Sequence, residues 1–310
     1  MIDKEGDRVK IEDVKVIGVL GAGAVGHGIA QVCARSGFNV LLFSRSEETL
    51  RKALYLIRSG AFGLDKLVEK GRLTVEEADA VMSRIKTTTS MRDFGDVDFV
   101  IEAVPEDVEV KKKAFSELDE ICKEDVVFAS NTSAIMISDL ASSVKRKDKL
   151  IGMHWFNPAP VMKLIEVVRG VLTSDETFKL TVELVKKLGK TPIEAKDSPG
   201  FFTTRFMMCW FMEAIRLLET GVAGVREIDE MCKLAFGFPM GPFELMDFTG
   251  LHTALQVSEY IYRETREKRY APPVTLKKLV ISGYTGDPKF NPGSRGGWYE
   301  YFGVKREEKR

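Results

Sequence analysis

The run GAGAVG at residues 21–26 constrains the fold more than any other part of the chain, because a β-rich run stands directly before it and a helical one directly after. VKVIGVL (14–20) reads as a strand, and GIAQVCARSG (28–37) carries the small and apolar residues of a helix packed against a sheet. In that setting each glycine has a physical task. Gly21 permits a tight turn, Gly23 lets backbone approach a pyrophosphate, and Gly26 allows close helix packing. The helix N-terminus adds free N–H groups and the positive end of its dipole. A dinucleotide-binding unit is the expectation; the alternative is a glycine-rich turn with no ligand.

The alternation continues. NVLLF (39–43), VDFVIEA (97–103), DVVFAS (125–130) and KLIGMHW (149–155) read as further strands between longer amphipathic stretches, which predicts βαβ units and a mainly parallel sheet. Between the second and third strands, residues 47–84 place Leu50, Leu54, Ile57, Phe62, Leu64 and Leu67 near helical spacing. That stretch is long for a simple crossover and is expected to project from the sheet. After Asp197, Ser198, Pro199 and Gly200 the character changes, and residues 201–220, 225–236, 250–268 and 275–282 read as helices separated by GV, GFPMGP and APP. The expected fold is α/β: a Rossmann-type doubly wound sheet over residues 1–197, then a smaller all-helical domain over 198–310. The charged ends, residues 1–12 and 304–310, are expected to be mobile.

Composition narrows the partners. The chain has 46 Lys and Arg against 46 Asp and Glu, so it lacks the basic excess of a nucleic-acid binder. No uninterrupted apolar run approaches the roughly 18 residues of a membrane span, and the first residues lack the apolar core of a signal peptide. A cytoplasmic protein with no membrane partner is expected. Cys33, Cys122, Cys209 and Cys232 are scattered, with no CxxC spacing and no nearby His, so they read as buried reduced thiols and no metal is expected.

At the end of the second strand an NAD site ordinarily carries an acid that grips the ribose hydroxyls. Ser44 stands there instead, followed by Arg45 and Ser46. A hydroxyl beside a guanidinium accepts a 2′-phosphate that an acid would repel, which points to NADP; a plain surface arginine is the alternative. Histidine occurs at positions 27, 154 and 252 only. His154, at the end of a strand in HWFNP, is the natural acid/base candidate. In KLIEVVRG the alternation of Leu164, Glu166 and Val168 turns Glu166 to the apolar side of a strand, where it needs a partner. Bonded to the imidazole, it would fix the tautomer and stabilise the imidazolium. A satisfied core histidine and an edge glutamate remain the bland alternative.

GAGAVGHGIA, IEAVPEDVEVKK, SNTSAI, GMHWFNPAPVMKLIEVV, DSPGFFTTR, GFPMGPFELMDFTG and RGGWYEY occur in the order, and near the spacing, of the 3-hydroxyacyl-CoA dehydrogenases. The chain resembles that family over nearly its whole length, and within it the bacterial and archaeal 3-hydroxybutyryl-CoA enzymes. The resemblance implies hydride transfer between a 3-hydroxyacyl-CoA and an NAD(P) cofactor, with His154 as the base, Glu166 as its partner and Ser133 touching the reacting oxygen. It further implies that Glu106 and Lys111 contact the nicotinamide half of the cofactor, that Lys66 and Lys70 hold the CoA tail, and that the helical domain covers the substrate and forms a homodimer. Taken alone, Lys66 and Lys70 are an ordinary solvated helix face. Three positions depart from the pattern: Thr204 stands where a substrate-positioning Asn is common, the cofactor acid is absent, and Gly293 replaces a lysine of a cofactor loop near Arg295. Related gulonate or carnitine dehydrogenases, and an idle crystallin-like dinucleotide binder, are the rival readings.

Overall fold

The computed structural model describes residues 10–306, so most of both charged ends lies outside the described residues. The chain divides into two compact units, Met1–Asp197 and Ser198–Arg310. The first unit is built on an eight-stranded sheet in the order β3-β2-β1-β4-β5-β6-β7-β8. Its strands are β1 (Val16–Leu20), β2 (Asn39–Phe43), β3 (Ile85–Thr88), β4 (Phe99–Glu102), β5 (Val127–Ser130), β6 (Leu150–Trp155), β7 (Leu164–Arg169) and β8 (Thr191–Lys196). All neighbours are parallel except β6 and β7. β4, β5 and β6 are buried throughout, as strands covered on both faces must be.

Helices α1 (Gly26–Arg35), α2 (Glu47–Ser59), α3 (Leu64–Glu69), α4 (Val75–Ser83), α5 (Val108–Ile121), α6 (Ile137–Leu140) and α7 (Asp175–Lys187) complete the unit. Successive strands run outward from β1 in one direction as far as β3 and then in the other from β4, so the order reverses between β1 and β4. In open parallel sheets that reversal opens a crevice at the carboxyl ends of the two strands.

Two expectations need correction. Residues 47–84 do not form one projecting helix: the chain breaks at Gly60, Gly63 and Gly71 into α2, α3 and α4 and then supplies β3. Local capping sets the new starts. Ser46 accepts from the Thr49 N–H at the head of α2, and Thr74 and Glu77 form a reciprocal capping box at the head of α4. Leu50, Ala53, Ile57, Leu64, Ala78 and Val81 are buried in the core they share with β1 and β2, so this stretch packs onto the sheet. Nor are all four thiols buried, since Cys209 is partly exposed; Cys33, Cys122 and Cys232 are buried, and burial pushes the Cys122 thiol up to about 11.

The second unit is helical, with α8 (Thr203–Glu219), α9 (Val225–Phe236), α10 (Pro242–Thr249), α11 (Leu251–Thr265), α12 (Val274–Ile281) and α13 (Trp298–Tyr301). No helix among the described residues is long and apolar enough to cross a membrane. Buried Phe211, Met212, Phe243, Met246 and Trp298 form its interior. Asp247, fully buried, ties the end of the chain to this core: its carboxylate accepts from the Trp298 N–H at 2.8 Å and pairs with Arg306, and its carbonyl accepts from the Asp287 N–H at 2.9 Å. Asp247→Asn keeps the volume but turns an N–H₂ toward one of these donors. It should cost about 3 kcal/mol, the range for breaking a buried pair on one side. A lowered urea midpoint is the expected readout, and an unchanged midpoint would show that the carboxylate does not hold this segment.

Candidate active site

The glycine-rich turn lies at the reversal between β1 and β4. Gly21 has a φ of +114°, and a Cβ there would stand 2.5 Å from the Ala103 carbonyl oxygen, so only glycine fits between the two strand ends. At Gly26 a Cβ would fall 1.8 Å from the Gly21 carbonyl oxygen, which is how the helix comes so close to the turn. Gly23 faces open space, with nothing within 4 Å of the place a Cβ would take. The start of α1 has no side-chain cap and no acidic residue in its first turn, whereas α2, α4, α5 and α7 are capped by Ser46, Thr74, Asp107 and Ser174. Backbone donors, an open approach beside Gly23 and the absence of a competing carboxylate fit the pyrophosphate of a dinucleotide. His27 braces the turn, its Nδ1 donating to the Gly23 carbonyl oxygen at 2.8 Å, and burial lowers its pKa below the usual histidine value.

The Gly21 N–H donates to the Phe43 carbonyl at 3.0 Å, which sets the turn beside the end of β2. Ser44 follows, its own N–H held by the Thr88 carbonyl of β3 at 3.2 Å. Arg45 is exposed and makes no hydrogen bond or ion pair among the described residues.

Further along the same edge, β6 and β7 pair antiparallel with His154 directly opposite Glu166. Both are buried, at 4% and 2% exposure, and Nδ1 of His154 lies 2.7 Å from Oε2 of Glu166. The Phe156 ring stands 4.5 Å from the imidazole, centroid to centroid. Asn131, just past β5, accepts from the Trp155 N–H at 2.8 Å and so fixes the end of β5 to the end of β6. Ser133 lies two residues further, half-buried on a turn, and its hydroxyl has no partner among the described residues.

Lys111 is not a surface cation. At 1% exposure its Nζ donates to Glu102 at 2.7 Å and lies 3.3 Å from Glu106. Burial alone would lower this ammonium, but Glu102 and Glu106 hold its pKa above the usual lysine range. Glu102 is a residue of this edge that motif reading did not single out for a role. The signal for Glu102 was present: an acid closing an otherwise apolar strand needs a buried counter-charge.

The remaining candidates lie on other elements. Lys66 and Lys70 are exposed on and just after α3, Lys66 being paired with Glu69 at 2.8 Å. Thr204 is buried in the first turn of α8, in the helical unit, and Arg295 of that unit lies over the Tyr284 ring at 5.5 Å.

A parallel sheet whose order reverses beside such a turn is the architecture of Rossmann-type dinucleotide-binding proteins. Comparison with known proteins narrows the class. Residues 16–198 match the family model described as "3-hydroxyacyl-CoA dehydrogenase, NAD binding domain", and residues 200–301 match "3-hydroxyacyl-CoA dehydrogenase, C-terminal domain". The chain belongs to the 3-hydroxyacyl-CoA dehydrogenase family, and its cofactor is a nicotinamide dinucleotide. It is 42% identical to a probable 3-hydroxybutyryl-CoA dehydrogenase of Deinococcus radiodurans, over 92% of this chain and 99% of that one. It is 38% identical to the human mitochondrial hydroxyacyl-coenzyme A dehydrogenase, over 93% and 91% of the two chains. Among solved structures, the (S)-3-hydroxybutyryl-CoA dehydrogenase of Ralstonia eutropha superposes with a TM-score of 0.83 at 41% identity, covering 89% of this chain and 96% of that one.

Gly23 and Gly26 give a contrast that tests the turn. Gly26→Ala should destabilise the protein, because its methyl meets backbone. Gly23→Ala should fold with an unchanged thermal midpoint and bind NADH at least about tenfold more weakly, a loss of about 1.4 kcal/mol, because its methyl occupies the approach to the turn. Full NADH affinity in Gly23→Ala, read by fluorescence titration, would remove the pyrophosphate from this place.

Proposed function

We propose that the protein interconverts a 3-hydroxyacyl-CoA, with 3-hydroxybutyryl-CoA as the leading substrate, and the corresponding 3-oxoacyl-CoA. The observation that carries this reading is the buried His154–Glu166 pair at 2.7 Å, set in a chain of this family. A nicotinamide dinucleotide held at the Gly21–Gly26 turn would supply hydride transfer to or from C3 of the substrate. In oxidation His154 takes the 3-hydroxyl proton on Nε2, because Nδ1 is turned to Glu166; in reduction it returns that proton. Glu166 holds the imidazole in this tautomer and stabilises its protonated form. The Ser133 hydroxyl donates to the reacting oxygen, and Lys66 and Lys70 pair with the phosphates of CoA.

For the cofactor, we infer a preference for NADPH over NADH from Ser44 and the exposed Arg45 at the end of β2. Arg45→Ala should weaken NADPH by about one to two powers of ten and leave NADH nearly unchanged, as expected for one charged hydrogen bond of roughly 1.5 to 3 kcal/mol. Equal or tighter NADH binding by the wild-type protein would overturn the preference. Pairing with a second copy through the helical unit is supported by its exposed Phe206, Leu234, Phe236 and Ile281.

The substrate class is tested by a screen with and without the CoA moiety. Acetoacetyl-CoA should be reduced, while free acetoacetate, gulonate and carnitine-type substrates should turn over far more slowly or not at all. Consumption of a free acid at a rate matching the thioester would move the protein to another branch of the family. In the same assay His154→Gln should lose about two to four powers of ten in kcat with dinucleotide affinity retained, and Glu166→Gln should lose less in the same sense. Near-normal kcat in His154→Gln would end the assignment.

A further inference from the structure

We propose that Lys190 is a positioning residue for the His154–Glu166 pair: its ammonium clasps the connection between β6 and β7, residues 156–163, and so steadies the hairpin on which the pair stands. The proposal rests on the reaction given above to that pair.

The connection has few means of holding itself. Pro158 and Pro160 have no N–H to donate. The Val161 and Met162 N–H groups both donate to one acceptor, the Pro158 carbonyl, at 3.0 Å. Val161, Met162 and Lys163 are exposed, so little apolar burial fixes that end. The middle is better packed: Ala159 is buried, and a Cβ on Gly28 of α1 would stand 3.0 Å from Pro160 Cδ and 3.1 Å from Ala159 Cβ. The same loop begins at Phe156, whose ring stands 4.5 Å from the imidazole, so slack in it reaches His154 within two residues.

Lys190, between α7 and β8, supplies the missing donors. Its Nζ donates to the Ala159 carbonyl at 2.6 Å and to the Met162 carbonyl at 2.7 Å, and it lies 5.9 Å from the centre of the Trp155 ring, next to His154. The base of the side chain is fixed on both sides. The Lys190 N–H donates to the Val185 carbonyl at 3.1 Å, and the Thr191 N–H donates to the Lys163 carbonyl at 2.8 Å.

The surroundings do not favour a cation for stability. Lys190 is half-buried and makes no ion pair among the described residues, and burial, with Arg35 adding repulsion, lowers its pKa below the usual lysine value. A methionine would fill the same space without drawing a charge from water. What the ammonium adds is direction: two short charge-assisted bonds from one atom to two carbonyls of one loop, which no apolar side chain makes. A displacement on the ångström scale at a reacting group can cost about a hundredfold in rate, so the benefit of that hold falls on the reaction.

Lys190→Met tests this, since it keeps the stem and removes both bonds. The thermal midpoint should fall by no more than about 4 °C, because the two carbonyls are free to turn to water. Over the same change, kcat for reduction of acetoacetyl-CoA should fall about ten- to a hundredfold. In the ligand-free protein the backbone order parameters of Ala159, Val161 and Met162 should drop from about 0.85 to below about 0.6, while those of β6 and β7 hold. Lys190→Arg keeps a cation with donors for both carbonyls, as Arg216 serves the Lys268, Arg269 and Ala271 carbonyls in this chain. It should recover kcat to within about threefold of the wild type. In the His154→Gln background Lys190→Met should cost less than about a further twofold, because its route to the reaction is already gone. Unchanged kcat or unchanged order parameters in Lys190→Met would overturn the proposal. So would a large fall in the midpoint or loss of folding, which would make Lys190 a stabilising residue only. Failure of arginine to recover the rate, or multiplied losses in the double variant, would count against it equally. A wild-type protein that turns over no 3-oxoacyl-CoA would count against the function and leave the order parameters to decide whether Lys190 holds this loop.

Discussion

The antiparallel register between β6 and β7 decides what this sheet can do. His154 meets Glu166 because the register of the two strands sets these residues directly opposite one another, and a slip of one position would send the two side chains to opposite faces. Both groups are buried, and each would be costly there alone. Bonded at 2.7 Å they satisfy one another, and the dry surroundings strengthen the interaction that orients the ring. The reversal of direction in an otherwise parallel sheet is thus the step that puts a buried imidazole–carboxylate pair on a dinucleotide-binding scaffold.

The two halves of the carboxyl edge work by different physics. On the β1–β2 side the structure uses backbone: a left-handed glycine, an uncapped helix start, and space kept open beside Gly23. A polyanion asks only for donors and room. On the β4–β7 side it uses side chains, each tied to a neighbouring side chain or backbone group: Glu102 to Lys111 and Ser130, Glu106 to the Ser133 turn, Asn131 to the β6 backbone, Glu166 to His154. Proton transfer depends on distances held to fractions of an ångström, and only a connected network of buried polar groups holds them so.

Much of this was legible in the residues, and the reasons for the exceptions are physical. Gly21, Gly23 and Gly26 were readable because strand, turn and helix signals all agree around them. Glu166 was readable because strand alternation left a carboxylate on the apolar side. By contrast β3 is only four residues long, and β8 is an edge strand with Pro192 near its start and no buried residue, so neither shows a clear period-two pattern. α10 was hidden by its own start signal: Gly241-Pro242 looks like loop punctuation and is in fact a proline in the first turn of a helix. The bonds from Thr132, Ser133 and Ala134 to Glu106 escaped because these partners are 26 to 28 residues apart in sequence and meet only through the order β4-β5 in the sheet. Lys111, which family resemblance assigned to the cofactor, shows the same limit, since nothing local marks a lysine in KKK as the buried one.

The central claim is that one imidazole, oriented by one carboxylate, carries the proton in both directions. The pH dependence of kcat/KM, measured for oxidation of 3-hydroxybutyryl-CoA and for reduction of acetoacetyl-CoA, tests it most directly. The imidazole must be neutral to take a proton and protonated to give one, so the oxidation profile should rise with pH and the reduction profile should fall across the same interval. Both limbs should flatten in His154→Gln. Profiles that keep their shape in that variant, or that move in the same direction for the two reactions, would contradict the account.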